Sequence, residues 1–154
     1  MSHIHFGPFA LDVPSDWTLS TLILAGPVSE AVSDPQLRSP KAPRPFQQNL
    51  VATMEQVDPD VTPESYVQRQ IEGLRQAGVT RHEAKPPEKV QLKSGLEGLL
   101  TEQVMIGGDG SWVRQMQLVT FKGSIAHTLI ASHLDGPLFE QAREQFRAIL
   151  LSFK

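Results

Sequence analysis

Val67, Ile71 and Leu74 fall at i, i+4 and i+7 behind Thr62-Pro63, and Gly78 follows the last of them. A threonine N-cap, proline at the first helical position and glycine just past the end predict an amphipathic helix over this stretch. Its other face carries Glu64, Gln68, Arg69, Glu72 and Arg75. A second helix is predicted to open at Asp135-Gly136-Pro137, with Phe139, Ala142, Phe146, Ile149 and Leu150 as its apolar stripe and Phe153 extending it.

Elsewhere the alternation has a period of two, and strands are expected over about 3–12 (broken at Gly7-Pro8), 20–26, 49–57, 79–84, 88–92, 97–106, 112–121 and 124–132. Gly107-Gly108-Asp109-Gly110 and Lys122-Gly123 read as hairpin turns, so the last three long strands form an antiparallel meander closed by the C-terminal helix. Residues 27–47 carry Pro27, Pro35, Pro40, Pro43 and Pro45 and read as a proline-rich loop; Pro86-Pro87 breaks the chain before the meander. With no βαβ alternation, no repeat and no second-domain boundary, the expectation is one α+β domain over 1–154. It is an antiparallel β-sheet with two helices packed on it, in the order β-β-β-α-β-β-β-β-α.

Pairing the meander across its turns puts Leu100, Glu102, Val104, Val113, Gln115, Gln117, Val119, Phe121, Ala126, Thr128, Ile130 and Ser132 on one face. Leu99, Thr101, Gln103, Met105, Trp112, Arg114, Met116, Leu118, Thr120, Ile125, His127, Leu129 and Ala131 then fall on the other. Neither face reads as polar. Three explanations stand: a binding surface for an apolar partner, helices or the proline-rich loop over both faces, or a homodimer burying its own sheet.

The 154 residues are 40% hydrophobic and 20% charged, ordinary for a globular chain, and the net charge of -3 argues against nucleic-acid binding. The absence of cysteine removes disulfides, thiolate metal sites and cysteine nucleophiles. The N-terminus lacks a basic region followed by an apolar one, and no apolar run is long enough to span a bilayer. A cytoplasmic protein without direct membrane insertion is therefore expected.

Candidate chemistry is sparse. His3 and His5 would share a strand face but have no third ligand nearby, and His127 reads as a core or interface residue. Neither Ser111 nor Ser124 sits in a nucleophile elbow, and the glycine-rich 107–110 stretch lacks the lysine and helix of a phosphate loop. Asp58, Asp60 and Glu64 suit a helix start and lack calcium-loop spacing. No catalytic residue, metal or cofactor is assigned, and the chain reads as a non-enzyme.

The segments FGPFALDVPSDW, NLVATMEQV, TPESYVQRQI and WVRQMQLVTFKGSIAHTLIAS, with the closing FEQAREQFRAILLSF, resemble the PsbP/DcrB-like superfamily over nearly the whole chain. Within it, the missing leader and the Gln115-Met116-Gln117 pattern are most similar to the Eag chaperones, adaptors of bacterial type VI secretion. The resemblance implies a dimeric cytoplasmic chaperone holding the N-terminal transmembrane helices of a secreted effector in a sheet-lined groove before loading on the secretion spike. A PsbP-like accessory module docking on a folded protein is the competing expectation. Two departures stand out: the proline-rich 27–47 stretch, and Met54 where the Eag pattern has a polar or basic residue.

The groove is expected to comprise Leu22, Leu24, Met54, Leu100, Gln115, Gln117, Val119 and Ile130, with Gln115 and Gln117 replacing the interhelical hydrogen bonds a cargo helix makes in a membrane. For each, packing beneath a helix is the plain alternative. Leu22 and Leu24 in particular trade places with Ile23 if the register slips by one.

Overall fold

The computed structural model describes residues 1–6, 9–17, 20–29, 46–107 and 110–154. Its strands are β1 (Ser2–Phe6), β2 (Phe9–Val13), β3 (Thr21–Ser29), β4 (Phe46–Gln56), β5 (Glu88–Gln91), β6 (Glu97–Ile106), β7 (Trp112–Lys122) and β8 (Ile125–Leu134). The helices are α1 (Pro63–Gln76), between β4 and β5, and α2 (Pro137–Leu151), at the end. The order is the expected one, with the first strand element divided into β1 and β2, which pair with each other. The other six strands form one antiparallel sheet in the order β3-β4-β8-β7-β6-β5.

The helix signals act as their chemistry dictates. Ser65 N–H donates to Thr62 Oγ1 at 3.1 Å while Thr62 N–H donates to Ser65 Oγ at 3.0 Å, closing a capping box around Pro63. At the other end Gly78 takes φ 76°, and Val79 N–H reaches back to the Leu74 carbonyl at 2.9 Å, the glycine-terminated helix end the sequence signals. Ile149, placed by periodicity in the stripe of α2, is 41% exposed at its border.

Three boundaries differ from expectation. β3 runs through Gly26-Pro27 to Ser29, with a register shift between Ala25 and Val28. Proline is tolerated there because β3 is an edge strand and the bulge leaves its missing N–H unneeded. β4 likewise begins at Phe46, inside the expected 27–47 loop; residues 30–45 lie outside the described residues. The stretch 79–84 is no strand and makes a single antiparallel bridge, His82 to Val104. Pro86 and Pro87 cannot donate to a ladder, and Glu83 takes φ 47°, so the edge beside β6 is taken by β5 instead.

α2 packs on one face of the sheet, the rear face, where Phe139, Ala142, Phe146 and Leu150 meet Leu100, Met116, Leu118, Leu129 and Ala131. α1 packs on the front face, where Tyr66 and Val67 meet Leu99, Val119 and Ala126. The covering of both faces by helices accounts for much of the two-sided apolar pattern.

Candidate functional site

Register decides which of the expected groove residues can meet. Across β6 and β7, Gln103 opposes Gln115, Thr101 opposes Gln117 and Leu100 opposes Leu118; across β7 and β8, Gln117 opposes Ile130 and Leu118 opposes Leu129. Directly opposed residues share a face. Gln115, Gln117, Val119 and Ile130 therefore stand on the front face, as a group, but Leu100 stands on the rear. The correction has a simple cause. An odd number of residues separates Ile106 from its partner Trp112, so parity is preserved across that turn, whereas the expected pairing reversed it. Residues 108–109 of the turn itself lie outside the described residues, as do the side chains of His3 and His5.

The same reasoning moves three more residues. Leu22 opposes Ala52, which opposes Leu129; Leu24 opposes Leu50, which opposes Ala131; Met54 opposes His127. Leu22, Leu24 and Met54 are thus rear-face residues, and the eight expected positions divide equally between the two sides of the sheet.

Two of the eight are core. Leu100 is buried under α2 and Val119 under α1. On the rear, Leu24 lines a cleft of about 130 Å³ with Phe146 and Ile149, and Leu22 and Met54 line one of about 90 Å³ with His127 and Phe153. On the front, α1 shields only the end of the sheet near the Lys122-Gly123 turn. Beyond it, Gln115, Gln117 and Ile130 form the floor of an open depression of about 450 Å³ with Gln103 and Met105, walled by Gln70, Gly73 and Leu74 of α1. The Gln117–Ile130 row continues through Val51 to Ile23 on the sheet edge, which is 64% exposed. Ile23, Gln103 and Met105 are therefore front-face residues the sequence reading left out; correct parity across the 106–112 turn is the signal that finds the last two.

The amides on this floor are organised in two chains. Arg81 Nε donates to Gln103 Oε1, and Gln103 Nε2 donates to Gln115 Oε1 at 3.5 Å. Gln117 Nε2 donates to Gln70 Oε1 at 2.8 Å, and Gln70 Nε2 to Thr128 Oγ1 at 3.1 Å.

The rear face holds an ionic cluster under the start of α2. Arg114 donates from Nε to Asp135 at 2.7 Å, from Nη1 to Glu102 at 3.1 Å and from Nη2 to Glu83, while Arg143 bonds Glu102 and Glu140. Burial pushes the Glu102 carboxyl up, and Arg143, Lys85 and Arg114 outweigh it and hold the group below its ordinary range. Both guanidiniums lie against the Phe139 ring. His127 is pushed down by burial and by the Lys122 charge, and its buried Nδ1 has no hydrogen-bond partner among the described residues. Among the described residues no group of three or more His, Asp or Glu could hold a metal, and no helix is long and apolar enough to cross a membrane.

The fold has known counterparts. A Pseudomonas aeruginosa protein of unknown function, PA94, superposes with a TM-score of 0.62 at 17% identity, covering 97% of this chain and 95% of its own. The cyanobacterial PsbP of Synechocystis, CyanoP, superposes with a TM-score of 0.56 at 12% identity, covering 96% of this chain and 99% of its own. The fold is PsbP-like. No known family's sequence pattern and no curated protein matches the chain.

Proposed function

We propose that this chain is a non-enzymatic chaperone or adaptor that shields the N-terminal transmembrane helices of a type VI secretion effector before they are loaded on the secretion spike. One observation carries the reading: a PsbP-like sheet whose front face is half covered, leaving an open depression with an apolar and amide floor that runs on to an exposed isoleucine. A transmembrane helix in water exposes a continuous apolar surface, and covering it recovers about 25 cal/mol per Å². The amides of Gln115 and Gln117 offer hydrogen bonds that such a helix otherwise makes to neighbours in the bilayer.

The same reading takes the working form to be a cytoplasmic homodimer. Its support is β3, an edge strand with Leu22, Ile23, Leu24 and Val28 all exposed, the kind of edge proteins ordinarily cover. A second copy paired edge to edge along β3 is the proposed cover, an arrangement that leaves the front-face side chain of Ile23 open to the cargo.

The test is co-expression of the full chain with the N-terminal transmembrane region of a neighbouring effector candidate. The proposal expects a soluble stoichiometric complex, and insoluble cargo when this chain is absent. Cargo that stays insoluble, or is soluble alone, overturns it. The likeness to CyanoP would then favour an accessory module that docks on a folded partner.

A further inference from the structure

We infer that the β6 end of the front depression receives a carboxylate, an Asp or Glu side chain carried on the bound apolar segment, held by Arg81 and the amide of Gln115. This rests on the reading of the depression as the binding site and adds a charge requirement to it.

The argument starts from Arg81. The His82–Val104 bridge sets Arg81 beside β6, and its Nε is bonded to Gln103, a buried residue of the depression floor. The guanidinium is half-buried and desolvated, which lowers its pKa. On the rear face the desolvated guanidiniums of Arg114 and Arg143 each hold carboxylates; Arg81 has only the Gln103 amide among the described residues. A desolvated cation without a counter-ion is costly, and a bound carboxylate removes that cost.

Hydrogen-bond direction points the same way. Arginine can only donate, so Gln103 must turn its oxygen toward Arg81 and its NH₂ toward Gln115. Gln115 accepts with its oxygen, and its own NH₂ donates to no group among the described residues. The chain from Arg81 through Gln103 to Gln115 therefore ends in donors on both sides, the guanidinium at one end and this NH₂ at the other. Gln117 does the opposite: its NH₂ is taken by Gln70, leaving its oxygen as acceptor. The floor is therefore polarised along its length, with donors toward β6 and an acceptor nearer α1. A carboxylate, which only accepts, fits the donor end, while Leu74, Met105 and Ile130 suit the apolar body around it.

The test uses the full chain and two labelled helical peptides of about 20 apolar residues. One has a single Asp a turn from its end and the other Asn at the same place; binding is read by fluorescence anisotropy in dilute non-ionic detergent. The Asp peptide should bind about ten-fold tighter than its Asn twin. Arg81→Gln should remove that preference, and Arg81→Lys should keep part of it. Equal binding of both peptides to the wild-type chain, or a preference that survives Arg81→Gln, overturns the carboxylate inference and leaves the binding site standing. If neither peptide binds, the site reading falls and the inference with it.

Discussion

Gln117 Nε2 donates to Gln70 Oε1 at 2.8 Å, joining the floor of the front depression to the helix that walls it. This bond helps to set the width of the opening, together with the bond from Gln70 Nε2 to Thr128 Oγ1 and the packing of Tyr66, Val67 and Ile71 on the sheet.

Gln117→Ala should therefore cost about 0.5–1.5 kcal/mol in urea unfolding, the ordinary worth of a partly buried hydrogen bond. Hydrogen exchange should rise at 70–77, the C-terminal turns of α1, and stay unchanged near Tyr66. An even rise along the helix would contradict this role.

Arg114→Met should cost about 3–5 kcal/mol, because it leaves Glu102 and Asp135 buried without their shared cation. For a chain of this size the melting midpoint should fall by about 10 °C or more. Calorimetry on the two proteins checks it.

How much of this was legible beforehand depends on range. The α1 boundaries follow from Thr62, Pro63 and Gly78, all within the helix or two residues of it. The strands follow from local alternation. The faces do not, because they depend on the parity of the short connection between Ile106 and Trp112, which composition does not fix. Hence Gln115 and Ile130 were rightly grouped while Leu100 joined the wrong side. The Arg114 cluster was invisible for a related reason: Glu102 and Arg114 look like solvent-facing positions in an alternating strand, and their partners Asp135 and Arg143 come from distant stretches of sequence. Pro86 and Pro87 ended the ladder beside β6 where period-two alternation over 79–84 suggested a strand.

Acid should destabilise the protein through the same cluster. Glu102 holds its proton less readily folded than unfolded, so its contribution is complete above its ordinary pKa of 4.5 and is lost as pH falls through the lower folded value. Glu102→Gln should flatten the loss of stability below that pH, at the expense of stability near neutrality. Urea titrations from pH 7 to pH 3 check both signs.

His127 acts at higher pH. Its folded pKa is pushed below 6.5, so the unfolded chain binds the extra proton first, and stability falls as pH drops below that value toward the folded one. His127→Phe, which keeps a ring against Phe153, should remove this residue's share of the slope and the unmet Nδ1, leaving the share of His133, whose pKa burial also lowers. A slope between pH 7 and pH 5 as steep in the variant as in the wild-type chain would contradict this role for His127.

The central claim is that the front face, and not the rear clefts, holds the partner segment. The chain has no cysteine, so single thiols report on each side separately. Ile23→Cys lies on the front row and Ile149→Cys beside the rear cleft, and both parent residues are exposed. The measurement is the rate of maleimide labelling of each variant, alone and in complex with the effector's transmembrane region. The account predicts strong protection at position 23 and an unchanged rate at position 149. Protection at 149 with 23 left open would contradict it.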